Sequence, residues 1–261
     1  MYPTLFMSHG APNTILGDSY TKDNIVNFSK TLQKPKYIII FSAHYVTEDL
    51  QIIDYDASGL MYDFYGFEKE LYDFQYEIAS NKEIILNITE HLEKDNIKVK
   101  VERGRKTYDH GVWTALSMLY KNLDIPVIQL SIPLSFSNEE LIKLGESLQV
   151  FKDEAMIIAS GGLTHNLGGM SQSSAIAPYA KKFNDYMVNT INQGDEEKLL
   201  DIVHESIFKQ NHPTPEHFLP LYIAFGNAHD KKGISFNSEM IYSNISMESF
   251  VFDQPMRRIK C

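Results

Sequence analysis

The chain is short of cysteine, of basic charge and of long apolar runs. Cys261 is the lone cysteine in 261 residues, so a disulfide framework, a zinc ribbon and an iron–sulfur site are all excluded. The 24 Lys and Arg are outnumbered by 34 Asp and Glu, for a formal net charge of −10. A duplex-binding domain carries the opposite balance, so nucleic acid is not an expected partner. The compact basic stretches, Lys98 to Lys106 and Arg257–Arg258–Lys260, read as solvated faces. No apolar run approaches the ~20 residues of a transmembrane helix. The start of the chain, Met1 to His9, has neither the basic region nor the long apolar region of a signal peptide. The expectation is a soluble, cytoplasmic protein without a membrane partner. Linkers rich in Pro, Gly or Ser, internal repeats and low-complexity segments are also missing. A single domain over residues 1–261 is therefore favoured over two small ones.

Apolar residues make up 43% and charged residues 22% of the chain, the composition of a globular protein rather than a disordered one. Short unbroken apolar runs dominate: Tyr37 to Phe41, Pro126 to Leu130, Ala155 to Ala159 and the briefer Thr4 to Met7. Such runs suit strands buried on both faces of a mostly parallel sheet. Leu50 to Asp54, Ile97 to Val101 and Ser249 to Phe252 alternate more and read as partly exposed or edge strands. Helical periodicity fills the gaps, over Asn81 to Lys94, Val112 to Tyr120, Tyr179 to Asn192 and Pro220 to His229. Ser137-Asn138-Glu139-Glu140 opens a further helix with a capping box, continued by Leu141, Leu144 and Leu148. Strands alternating with helices predict an α/β fold with a central, mostly parallel or mixed sheet flanked by helices.

The nine histidines matter by position. His9 follows the Leu5-Phe6-Met7 run, His44 follows Phe41, and His165 follows Ile157-Ile158-Ala159, each after small residues. In a parallel sheet the C-terminal strand ends share one edge, where ligand sites of open α/β sheets form. Imidazole is the commonest metal ligand. A histidine at a strand end also reads as a hydrogen-bonded structural residue, and a threefold repeat of the pattern weakens that reading. Tyr108-Asp109-His110-Gly111-Val112-Trp113 sets a histidine at a helix start, equally consistent with a capping segment. Asn211-His212-Pro213-Thr214-Pro215-Glu216-His217-Phe218-Leu219-Pro220 is a stiff loop that carries His212, Glu216 and His217 together. His91, His204 and His229 read as solvated or packing residues. Met61 to Phe67 reads as an aromatic lid over a flat substrate or as a hydrophobic plug.

In order along the chain, His9-Gly10-Ala11-Pro12, Ser42-Ala43-His44, Asp109-His110-Gly111-Trp113, Ser160-Gly161-Gly162 through His165-Asn166-Leu167, and Pro215-Glu216-His217-Phe218-Leu219-Pro220 resemble the class III extradiol ring-opening dioxygenases. They are most similar to the DOPA 4,5-dioxygenase-like branch, related to the LigB catalytic subunit of protocatechuate 4,5-dioxygenase. The resemblance implies one α/β domain that opens the ring of a catechol-type substrate, DOPA-like or another catechol, with O₂. It implies non-haem Fe(II) held by His9, His44 and His217, with Zn(II) possible in the same site. His165 would then be an acid/base, His110 would position substrate or oxygen, and both would touch the substrate. Glu216 and His212 are the fallbacks for the third ligand. The expected partners are a small aromatic diol and O₂, with the chain a monomer or homodimer. The competing readings are a metal-free interaction scaffold of the same fold and a zinc hydrolase built on three histidines.

This chemistry explains the residue types. Three protein ligands leave coordination positions for the two hydroxyls of a catechol and for O₂. The hydroxyls must lose a proton, which a neutral imidazole can accept. General acid/base help of that kind is worth about 10²–10⁴-fold.

Overall fold

A strand whose successive residues are all apolar must be covered on both faces. The computed structural model describes residues 1–254 and meets that demand with an eight-stranded sheet flanked by helices. The first half of the chain forms β1 (Thr4–Ser8), α1 (Tyr20–Ser29), β2 (Tyr37–Thr47), β3 (Gln51–Ile52), α2 (Lys69–Tyr72), α3 (Lys82–Lys94), β4 (Lys100–Val101), α4 (His110–Leu119) and β5 (Val127–Pro133). Then come α5 (Asn138–Ser147), β6 (Ala155–Gly161), α6 (Pro178–Gln193), α7 (Glu196–Asp201), α8 (Ser206–Asn211) and α9 (Leu219–Asn227). The chain continues through β7 (Gly233–Asn237), β8 (Met240–Ile241), β9 (Ile245–Ser246) and β10 (Ser249–Phe252). Arg257, Arg258, Lys260 and Cys261 lie outside the described residues.

The sheet order is β4-β3-β5-β2-β6-β1-β10-β7, and β8 and β9 form a separate pair. The centre, β5-β2-β6-β1, is parallel, with Ile39 opposite both Ile128 and Ile157 and Leu5 opposite Ile158. The edges are mixed: β3 runs against β5, and β10 runs against both β1 and β7. The apolar runs of β1, β2, β5 and β6 are fully buried. Neighbouring residues of β6 face opposite layers. Ser160 meets Gly111 of α4 on one side, and Gly161 meets the His217–Pro220 turn before α9 on the other. Helix α9 packs closely on α5, because a Cβ on Gly226 would sit 2.0 Å from the Ile142 carbonyl oxygen.

Local chemistry accounts for the helix starts. Ser137 Oγ accepts from the Glu140 N–H while the Glu140 side chain accepts from the Ser137 N–H, the expected capping box. Asn81 caps α3 with its side chain alone, which accepts from the Ile84 N–H, and Pro178 and Pro220 occupy first-turn positions.

Several expectations need correction. β2 does not stop at Phe41 but runs to Thr47, with its register to β5 broken between Phe41 and Val46, so His44 lies inside a bulged strand. The strands expected at Leu50 to Asp54 and Ile97 to Val101 shrink to two residues each. Ile53 and Asp54 instead donate their N–H groups to Gln129 O and Arg105 O without continuing the ladder. His91 is not simply solvated: its Nε2–H reaches the Ser147 carbonyl at 2.7 Å, at the end of α5. His204 and His229 are exposed, as read.

Candidate active site

The parallel centre of the sheet delivers three histidines to one edge, and two helix starts add two more. His9 follows β1, and its N–H donates to Gly161 O on β6 at 3.1 Å. His44 sits in the β2 bulge, which is held by a relay of buried bonds. The His44 N–H donates to Ser42 Oγ (3.2 Å), Ser42 donates to Asp109 Oδ1 (2.5 Å), and Asp109 Oδ2 accepts from Arg105 (2.6 Å) and Gln129 (2.5 Å). His110 begins α4. His165 lies in the loop after β6, tied by its N–H to Asn211 O at 2.8 Å. His217 lies in the turn before α9, its carbonyl accepting the Gly162 N–H at 2.9 Å.

The five rings converge. His9 Nε2 and His44 Nε2 are 3.1 Å apart. Two nitrogens bound side by side at the ~2.1 Å of histidine–metal bonds stand about 3.0–3.4 Å apart. Rings radiating from such a point have centroids about 4.5–5.5 Å apart. The pairs His9–His44 (5.0 Å), His9–His217 (5.4 Å) and His44–His217 (4.9 Å) meet that spacing. His44–His110, at 3.8 Å, is too close, although His9, His44 and His110 nitrogens also fall within 4.8 Å of one another. His165, Glu216 and His217 form another such group. There, however, the His165 and His217 rings stack at 3.4 Å and 10°, and one cation cannot lie in both ring planes. By ring spacing His9, His44 and His217 are a candidate set for one metal, alongside the His9, His44 and His110 group whose nitrogens lie within 4.8 Å of one another.

Hydrogen bonds fix which nitrogens are free. Ser160 Oγ donates to Gly111 O (2.6 Å), so it must accept from His9 Nδ1–H (2.8 Å), which leaves the His9 Nε2 lone pair inward. His217 Nδ1–H donates to Glu216 Oε1 (3.2 Å), and the Thr214 hydroxyl donates to the same oxygen. Asp63 Oδ1 accepts both the backbone N–H (3.0 Å) and the Nδ1–H (2.9 Å) of His110.

Burial, then mutual repulsion among the imidazoles, lowers the pKa of His9 and His217 well below the usual histidine value. Burial, with His110 next, pulls His44 down to about 4. Burial also lowers His165, against the opposing pull of the Glu216 carboxylate. These rings are therefore neutral near pH 7 and carry lone pairs. Burial raises the Asp63 carboxyl, but the His110 hydrogen bonds outweigh it and hold the carboxyl below its ordinary value.

His212, the fallback ligand, does not join the cluster. It is buried among Phe183, Phe208 and Phe218, with its Nε2–H on Leu163 O at 2.8 Å. Burial brings it down to about 4, from 6.5 in an open chain. Between those values the unfolded chain binds a proton that the folded chain refuses, so stability falls as pH drops through that window. The slope is about 1.4 kcal/mol per pH unit, or roughly 3 kcal/mol from this residue alone. Urea unfolding of chelator-treated protein should show a loss of at least ~2 kcal/mol between pH 7 and pH 5. A flat profile would contradict the neutral, buried ring.

Sequence reasoning missed Asp63 and Ser160 as partners of the imidazoles. Asp63 is an acid inside the aromatic run Tyr62-Asp63-Phe64-Tyr65-Gly66-Phe67, and a lone carboxylate among rings is the signal that marks it. That run is a wall. Phe64 and Phe67 line the site, Phe64 stands edge-on to His110 at 5.8 Å, and Tyr65 is exposed.

The cluster opens into a cavity of about 380 Å³. Besides the five imidazoles it is lined mainly by Phe64, Phe67, Leu167, Met170, Ile241 and Ile245. No described helix is long and apolar enough to cross a membrane.

The chain is 33% identical over 250 residues to a 4,5-DOPA dioxygenase extradiol of Beta vulgaris, covering 92% of this chain and 91% of that protein. It is 32% identical over 230 residues to one of Escherichia coli K12, covering 86% and 84%. The crystal structure of an uncharacterized Escherichia coli K12 protein superposes with a TM-score of 0.82 at 27% identity, over 97% of this chain and all of that one. Residues 3–252 match the family described as the catalytic LigB subunit of aromatic ring-opening dioxygenase. With that match over nearly the whole chain, the protein belongs to the LigB family of extradiol aromatic ring-opening dioxygenases, a family that implies a non-haem metal site, an aromatic substrate and O₂.

Proposed function

We propose that the chain opens a catechol ring with O₂ at a non-haem metal, Fe(II) for activity and Zn(II) as a possible occupant, held by His9, His44 and His217. The observation that carries this is the 3.1 Å approach of His9 Nε2 and His44 Nε2, with the His217 ring about equally spaced from both. When bound, the metal supplies Lewis acidity to the two hydroxyls and a redox-active meeting point for diol and O₂.

The chain's own groups do the rest. His165 is neutral near pH 7 because burial lowers its pKa, so it can take a hydroxyl proton from the substrate and later return it. His110 offers its second nitrogen to substrate or oxygen, its ring fixed by Asp63. Phe64 and Phe67 give a flat ring apolar faces to pack on and keep water out. The names of the relatives put DOPA among the catechols to try.

The test is anaerobic reconstitution with ferrous iron, then a catechol panel read by oxygen electrode and visible absorbance. The expected result is one O₂ consumed per substrate, with none consumed by the His217→Ala protein or the zinc-loaded one. Hydrolytic activity indifferent to O₂ and to iron would overturn the proposal in favour of a zinc hydrolase.

A further inference from the structure

A buried carboxylate needs a cation or several N–H donors, because an unpaired charge in an apolar site costs several kcal/mol. Among the described residues, no lysine or arginine lines the cavity beside the histidine cluster, nor does any aspartate or glutamate. The hydroxyls on its wall are mostly engaged. Ser8 donates to Glu248 O, Thr164 to Asn244 O and Ser246 to Asn184 Oδ1, at 2.5–2.7 Å. Tyr242 carries the remaining hydroxyl. The cations of adjoining segments are occupied too: Lys22 Nζ sits on the Ile15 and Gly17 carbonyls, and Arg105 sits on Asp109.

The charges that do stand nearby are negative. Glu216 faces His217, and Glu239 lies in the neighbouring groove that shares Ala11, Ile241, Tyr242 and Met247 with the cavity. The whole chain carries −10, which disfavours the approach of anions. The volume of about 380 Å³ is near the small end of the usual ~300–1,000 Å³.

From this we infer that the substrate is a catechol bearing a short, uncharged, apolar substituent, rather than one bearing a carboxylate or an amino-acid side chain. The inference rests on the catechol reading above and narrows it. The ring would lie against the imidazoles, and its substituent would point to Ile241, Ile245 and Met247, the covered side of the wall, away from Leu167 and Met170 at its exposed rim.

Zinc has no redox chemistry, so zinc-loaded protein should bind a diol without turning it over, and affinity can then be read by calorimetry apart from activity. The probes are 4-ethylcatechol, 3,4-dihydroxyphenylacetate and L-DOPA, which share the diol and differ in the tail. The expected result is at least tenfold tighter binding of 4-ethylcatechol than of either charged probe. Met170→Arg, at the half-exposed rim and outside the catalytic set, should cut that ratio at least threefold by providing the missing cation. Equal or tighter binding of the charged probes overturns the inference while leaving the catechol reading intact, as does a ratio unmoved by Met170→Arg. Failure of every diol to bind overturns both.

Discussion

Replacing His165 by glutamine should leave metal content near normal while turnover falls about 10²–10⁴-fold. Glutamine keeps a polar group of similar reach but cannot exchange a proton near neutral pH. The separation of the two readouts follows from geometry. The His165 ring lies nearly parallel to that of His217 at 3.4 Å, so the two rings cannot both direct in-plane lone pairs at one metal, and under the proposed ligand set His217 is the one that does. Burial lowers its pKa, which keeps it a proton acceptor at pH 7. The measurement is metal per chain alongside kcat for a catechol under air. Loss of metal would make His165 a ligand, and retained turnover would remove it from proton transfer.

The convergence of distant histidines was legible because it follows from topology. A parallel sheet brings its C-terminal strand ends to one edge, and β1, β2 and β6 are adjacent in the centre of that sheet. The strands themselves were legible because burial on both faces leaves unbroken apolar runs. The extent of β2 was not. Its path from Phe41 to Thr47 is irregular because Ser42 bonds to Asp109, a residue 67 positions away, and no local propensity encodes that contact. The same limit hid Asp63, whose partner His110 is 47 residues on. Helix α1 escaped notice because it buries only Thr21 and Ile25 and so shows little apolar periodicity. The two-residue strands β3 and β4 lie toward one edge of the sheet, where pairing depends on neighbours more than on composition.

The choice between Glu216 and His217 was open in the sequence, since adjacent residues rarely face one metal. The turn before α9 separates their directions. The His217 side chain is buried against the His9 and His44 rings, whereas Glu216 is partly exposed and accepts from Thr214 and from His217 itself. Under the proposed ligand set the carboxylate would orient the ring and the imidazole would reach inward.

That turn rests on β6 with no room to spare, so adjacent glycines should respond in opposite ways. A Cβ on Gly161 would stand 2.2 Å from the His217 carbonyl oxygen and 3.1 Å from Pro220 Cγ. Neither backbone can yield without moving the turn, because the same carbonyl accepts the Gly162 N–H. Gly161→Ala should therefore weaken metal binding about 10–100-fold, as loss of ligand support does elsewhere. A Cβ on Gly162 would meet Thr164 O at 3.4 Å and His217 Cβ at 3.9 Å, ordinary contacts. Gly162→Ala should keep normal metal content and a stability within about 0.5 kcal/mol of the parent. Zinc competition against a chromogenic chelator, with thermal melts of both variants, separates the cases. If Gly161→Ala bound metal as tightly as Gly162→Ala, the His217 turn would not depend on its close seat against β6, and the ligand set would need another support.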